Sequence, residues 1–442
     1  MTMQAKHVLF FDDQFLASTS GLKRALHQPV KWEGNPIVRP DRPWEGKCVI
    51  IWGSVIWDPA DDLFKMWYQT HNPIAELPNR TLLCYATSRD GVHWEKPVVG
   101  LHDFEGSTEN NIVYRPAERF DSATVILDPF DPPPEGRFKM VLQDKGRLKH
   151  IRFQSPDGLH WEELGPIAAL ENAGDRHSLC VDPLTGQWRI YFKRSGPRTV
   201  HLAVSDNFTH WTDCGEVLAP AESDPPDTEF YGMVAFVDGS WRLGMLETFK
   251  VLERRLNAQL VRLDEQGRPT RYQPGQVFID HGAWGQWDSA WAFSGNCGPI
   301  RVGEELRFYY QGRPTLHWSD PPNGTGHFGA IGLARLRADG YVSLDGTGTL
   351  TTNPIPVTGR FLCINGNAAN GEIRLELLDE DGSPLPGMTA ADHFPLTCDA
   401  TYFKQAWGRK SNLSDLVDRR VRIRATLRNA SLYSMWFCNK PG

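Results

Sequence analysis

A seven-residue phrase occurs three times in this chain and restricts what it can fold into. The copies are Ser88-Arg-Asp-Gly-Val-His-Trp94, Ser155-Pro-Asp-Gly-Leu-His-Trp161 and Ser205-Asp-Asn-Phe-Thr-His-Trp211. Each closes a unit that opens with an apolar run and an Asp-Pro turn: Ser54-Val-Ile-Trp-Asp58-Pro59, Thr124-Val-Ile-Leu-Asp128-Pro129 and Ser178-Leu-Cys-Val-Asp182-Pro183. A second apolar run follows each turn (Phe64–Tyr68, Phe138–Val141, Trp188–Phe192), and a third leads into the phrase. Strand, turn, strand, turn, strand, tight turn and an edge strand begun by Trp describe a four-stranded antiparallel sheet. Repeats of this length built this way predict a β-propeller.

Taken in order, residues 1–47 read as an N-terminal segment packed on the propeller, with a short strand at Val8–Phe11, a basic turn at Leu22–Leu26 and a Pro-rich arm ending at Trp44-Glu45. Residues 48–345 read as five blades. The fourth lacks the His-Trp phrase but keeps a clear hairpin across Asp238-Gly239, and the fifth starts near Asp288. From 346 to 442 the apolar residues alternate with period two, as in Glu372–Leu378 and Val421–Leu427, which predicts an antiparallel β-sandwich with wet outer faces. The expected fold is all-β: a five-bladed propeller followed by a sandwich. Forty Gly and 32 Pro suit so many turns and would break long helices.

The charge balance narrows the partners. A net charge of −7 leaves no basic stripe for phosphate backbones, so no nucleic acid is expected. The longest apolar runs are far too short to span a bilayer, so no membrane is expected either. The eight Cys form no Cys-x-x-Cys pair and several sit inside strand patterns; with no signal peptide apparent, the reading is a reducing, cytoplasmic setting. The sandwich offers a surface for oligomer formation.

The repeat also locates chemistry. Innermost strands of a propeller begin at a central funnel, so equivalent positions on successive blades face one another. The residue seven before Asp128 is Asp121, and seven before Asp182 is Asp175; the 54-residue step between these two acids leads on to Glu229, and Asp288 opens the fifth blade. Carboxylates gathered around one pore cannot all ionise freely, which separates an acid from a base. Glycoside hydrolysis needs that division. Each Asp is equally suited to capping a turn. Around these acids, Glu45, Trp52, Arg176, His177, Tyr231, Trp287, Trp291, Arg313 and His317 stand near blade entrances and are expected to bind substrate, the Trp rings by stacking on sugar faces. Strand alternation sends at least one of Arg176 and His177 away from the pore. Trp94, Trp161 and Trp211, repeated at one blade position, are expected to pack between blades. No metal site is expected and no cofactor is required, although a propeller channel is a place where a structural Ca²⁺ can sit.

The Ser-x-Asp-Gly-x-His-Trp phrases, the acids opening the blades and the propeller-then-sandwich layout resemble the five-bladed propeller glycosidases, the superfamily that includes invertases, levanases and arabinanases. The resemblance implies a hydrolase acting on furanosides or related glycans with three acids in the funnel. Those enzymes place an acid on the first blade; here the position matching Asp121 is Ile51, and the nearest acid is Glu45. Glu229 is then the expected general acid, Asp121 the nucleophile or base and Asp175 a tuning carboxylate, with Asp288 in reserve. Two alternatives use the same funnel: a non-catalytic carbohydrate-binding propeller, and a phosphorolytic enzyme with Arg176, Arg313 and His317 around phosphate.

Overall fold

The computed structural model describes residues 7–71, 81–130, 132–194, 196–319 and 329–439. These residues are strands and turns throughout; none of the helices is long and apolar enough to cross a membrane. The chain forms two compact units. One comprises Pro29–Ile300 and Arg307–Arg335; the other comprises Met1–Gln28, Arg301–Leu306 and Leu336–Gly442. The N-terminal segment is therefore divided between them, because its expected basic turn is in fact part of an eleven-residue strand, Leu16–Leu26, hydrogen-bonded to Val342–Thr352.

In the first unit the repeats become sheets. The second repeat gives the antiparallel order Phe120–Leu127, Phe138–Asp144, Lys149–Ser155, Glu162–Pro166, and the third gives Ala173–Asp182, Gln187–Arg194, Val200–Ser205, Thr212–Leu218. Each ends in the edge strand expected after Trp161 or Trp211. The first repeat departs from this. Its fourth strand is Ile112–Tyr114, paired with Leu83–Ser88, and the residues after Trp94 contribute only a bridge between Thr87 and Glu95. The remaining strands run on from Thr228–Asp238, Trp241–Lys250 and Arg255–Leu263 to Trp291–Ser294, Glu305–Arg313 and Ala330–Arg337, where Val30–Lys31 adds the last strand.

The structure gives the repeated phrase a mechanical purpose. Ser155 Oγ accepts from Gly158 N at 2.8 Å, and Asp157 Oδ1 accepts from the Leu159 and His160 amides at 2.8 and 2.9 Å. His160 Nδ1 then meets Asp157 Oδ2 at 2.7 Å. Ser88, Asp90 and His93 make the same set. The turn so fixed presents one carbonyl to the preceding sheet. Tyr309 donates to Gly91 O (2.9 Å), Trp67 Nε1 to Gly158 O (2.7 Å) and Arg152 to Phe208 O (3.0 Å). The presenting residue has positive φ in all three, and at Gly158 an added Cβ would lie 2.4 Å from the Trp67 ring, so glycine is required there. A fourth clasp, Tyr191 to Gly267 O at 2.7 Å, does the same job without the phrase. The three Trp residues pack at these corners as expected: Trp94 stands edge-on to Tyr309 and Trp211 to Phe208, and Trp161 packs against the cluster around Trp67.

At the inner ends of the strands, Arg176 is wholly buried. It pairs with Glu247 and also donates to Asn296 Oδ1 and to the His177 and Ser294 carbonyls. Asn296 in turn donates to Trp52 O (2.8 Å) and Ser122 Oγ (3.3 Å). These bonds join residues from every repeat. Leaving one partner of such a buried pair alone would cost about 3–5 kcal/mol.

In the second unit, the apolar alternation places Val421, Ile423, Ala425 and Leu427 inside and their neighbours outside. The sequence reads as a strand at Val421–Leu427 and a separate last strand at Ser431-Leu-Tyr-Ser-Met-Trp-Phe437. They form one nineteen-residue strand, Arg420–Cys438, which pairs with five others and turns at Asn429, where φ is +47°.

Candidate active site

One cavity of about 440 Å³ opens at the inner strand ends of the first unit. Asp121 and Asp175 both line it, with Trp52, Trp291, Arg119, Arg313, His317 and Trp318 among its walls. Asp121 and Asp175 arrive there for the same reason. Each lies at the start of a sheet's first strand, where a bulge interrupts the pairing with the second strand. An antiparallel hairpin brings the end of the second strand back beside that start, and here both ends carry lysine. Lys145 Nζ lies 3.1 Å and Arg119 2.9 Å from Asp121 Oδ2; Lys193 Nζ lies 2.8 Å from Asp175 Oδ1.

Around Asp175 the cations set the ionisation. Burial would raise the Asp175 carboxyl, but the charge and hydrogen bond of Lys193 outweigh it, helped by Lys145 and Arg198, and hold it at about 2. Lys145 thus acts on both carboxylates. Lys193 itself is buried, which lowers its pKa against the pull of Asp175, and its Nζ rests 3.7 Å from the centre of the Tyr231 ring. His317 is pushed down to about 3, by burial first and then by the charges of Arg198, Lys193 and Arg313. It is a neutral imidazole at physiological pH, stacked on Trp291 (5.2 Å between centroids, 8° between planes) with Nε2 3.3 Å from the Tyr231 hydroxyl. Arg313 lies over the same Trp291 ring at 4.4 Å.

The other expected site residues lie elsewhere. Glu229 pairs with Arg198 and is absent from the cavity lining. Asp288, buried, accepts from Lys31 Nζ (2.6 Å) and the Tyr310 hydroxyl (2.9 Å). Trp287 packs on Tyr310, with Gly312 and Gly332 leaving room for its ring. Glu45, expected at the substrate, is completely buried; its carboxylate takes the Asp41 and Arg42 amides, the Tyr68 hydroxyl and Lys96, which makes it an anchor for the first sheet. Arg176, expected at sugar or phosphate, is committed to Glu247 and lies outside the cavity lining. His177 points the other way, its Nε2 on Val141 O (3.0 Å) and its ring edge-on to His150. Tyr231 backs the cavity from beneath His317.

Lys145, Lys193, Arg198 and Trp318 escaped the sequence reading. The lysines could have been found by asking which residue an antiparallel hairpin folds back beside each entrance acid. Trp318, well exposed at the rim and edge-on to His317 at 4.5 Å, carries no periodic signal.

No protein-family model matches this sequence, and no curated protein matches it. Solved structures do resemble it. One comes from the GH130 family of mannoside phosphorylases, which contains glycoside hydrolases that target β-1,2 mannosidic linkages in Candida mannan; it is 15% identical, with TM-score 0.50, covering 71% of this chain and 94% of the other. A glycosyl hydrolase from Bacteroides ovatus gives the same four values. A GH32 β-fructofuranosidase from Bombyx mori covers 95% of both chains at 11% identity and TM-score 0.45. The first two likenesses show the fold: an all-β, propeller-like architecture shared with glycoside hydrolases.

Proposed function

We propose that this protein is a glycoside-cleaving enzyme, in the first instance a glycoside hydrolase, whose first unit closes into a five-bladed propeller followed by a C-terminal β-sandwich. The observation that carries the reading is the meeting of Asp121 and Asp175 in one aromatic-walled cavity. Asp121 serves as nucleophile or base: Arg119 and Lys145 hold its carboxylate in place. Asp175, ionised down to about pH 2, stabilises the positive charge that grows on the anomeric carbon rather than delivering a proton. Glu229, paired with Arg198 and outside the cavity lining, is the proposed proton donor, acting once that ion pair opens. Trp52, Trp291 and Trp318 supply faces for sugar stacking.

Phosphorolysis is the second reading, favoured by Arg313 and His317 on the cavity wall, although Arg176 is not available to it. A panel of aryl glycosides and polysaccharides, assayed for product release with and without phosphate, separates the two. Tight glycan binding with no release of product under either condition would return the protein to the class of sugar-binding propellers.

A further inference from the structure

We infer that the glycan unit held in this cavity carries a carboxylate, so that the substrate class is a uronoside. The inference rests on the glycoside-cleaving reading and deepens it.

The chain as a whole is acidic, with net charge −7, yet its cavity is not. Of the two carboxylates on its lining, Asp121 has two cations on one oxygen, Arg119 and Lys145. Lys193 and Arg198 bring a carboxylate each, Asp175 and Glu229, so the excess positive charge beside the cavity is the second cation on Asp121. The cations nearest His317 are fixed on aromatic faces. Arg198 lies 5.6 Å from the Tyr231 centroid and 5.7 Å from that of Trp318, Lys193 lies over Tyr231, and Arg313 lies over Trp291. A cation held this way is partly desolvated, and its field reaches a ligand with little screening.

The neutral groups of the same wall add to that field. The indole Nε1 atoms of Trp52 and Trp291 are buried and have no hydrogen-bond partner among the described residues, so both N–H dipoles stand unopposed. Indole nitrogen only donates. His317 Nδ1 is likewise buried without a hydrogen-bond partner among the described residues, while Nε2 lies 3.3 Å from the Tyr231 hydroxyl. A neutral sugar, whose hydroxyls donate as often as they accept, does not need such a wall. A carboxylate accepts only, and carries the compensating charge.

Calorimetry tests this on the full chain with methyl glucuronoside and methyl galacturonoside, their neutral counterparts methyl glucoside and methyl galactoside, and inorganic phosphate alone. At least one acidic sugar is expected to bind about tenfold or more tightly than its neutral partner, with the gap closing as salt rises. Arg119→Gln is expected to remove the gap and Arg119→Lys to keep part of it. The wild-type comparison decides the matter even if the Gln variant misfolds. Equal binding of acidic and neutral sugars would overturn the uronoside assignment and leave glycoside cleavage standing. Phosphate that binds alone, competes with the acidic sugar and is required for cleavage of neutral glycosides would reassign the cationic wall to phosphate. Absence of binding and cleavage for every sugar would overturn both readings.

Discussion

Two periodic signals run through this molecule, and they end differently. The Ser-x-Asp/Asn-x-x-His-Trp turns do one thing three times: a hydroxyl and a side-chain oxygen cap a turn, and a carbonyl of that turn is clasped by the sheet before it. The acids at the sheet entrances share a backbone position with equal regularity, yet their environments diverge. Asp121 and Asp175 enter one cavity, Glu229 takes Arg198, and Asp288 disappears beneath Lys31 and Tyr310. A repeat constrains where the chain goes. What a side chain meets there depends on residues far off in sequence.

The sharpest way to test that divergence is to remove the acids one at a time. Asp121→Asn should lower kcat by about 10²–10⁴, the size of the help such a group gives, and Asp175→Asn should fall in the same range. Asp288→Asn should leave turnover per folded molecule where it was. Equal losses at all three positions would mean that these three entrances are chemically alike after all.

The interior should also be sensitive to acid, through His317 on the cavity wall and His177 outside it. His317 and His177 sit at about 3 and about 4 in the folded chain, against 6.5 when unfolded. Below pH 6.5 the unfolded chain binds protons that the folded chain refuses, so stability falls as pH drops, by about 1.4 kcal/mol per pH unit for each such group. Asp175 adds a further loss only as pH falls from 3.8 towards its folded value of about 2. Thermal melts between pH 7 and 4.5 should therefore show a falling Tm, with a shallower slope in His177→Gln. A flat profile would show that the two imidazoles are not held neutral.

Asp288→Asn should act on stability instead of catalysis. It removes the carboxylate that Lys31 and the Tyr310 hydroxyl share and leaves a buried donor with a weaker partner, at a cost of about 1–3 kcal/mol in chemical denaturation. A neutral substitution would indicate that Lys31 turns out to solvent.

Much of this was legible beforehand. Alternation and turn chemistry are local, so the phrase, the hairpins and the entrance register could be read directly, and Asp121 and Asp175 with them. Glu45 could not. Its carboxylate looks like any acid near a strand start, and only the fold brings Tyr68 and Lys96 onto it. Arg176 and His177 are adjacent on one strand; alternation said that they part, but not that the inward one would meet Glu247, which lies on the second strand of another sheet. Trp94 led to the wrong edge strand in the first sheet because a longer excursion, ending in Ile112–Tyr114, won the pairing with Leu83 and Cys84.

The smallest effects belong to the turns, and they test whether the three copies are interchangeable. Ser155→Ala and Ser88→Ala each remove an acceptor 2.8 Å from a buried glycine amide and should cost about 1 kcal/mol apiece. His160→Ala removes only an exposed pair with Asp157 and should stay within about 0.5 kcal/mol. The contrast follows from burial: Gly158 N has no water to turn to when Ser155 is lost, whereas Asp157 does when His160 goes. If His160→Ala costs as much as Ser155→Ala, the imidazole is part of the clasp on Trp67, and the His of the phrase belongs with the elements that hold neighbouring sheets together.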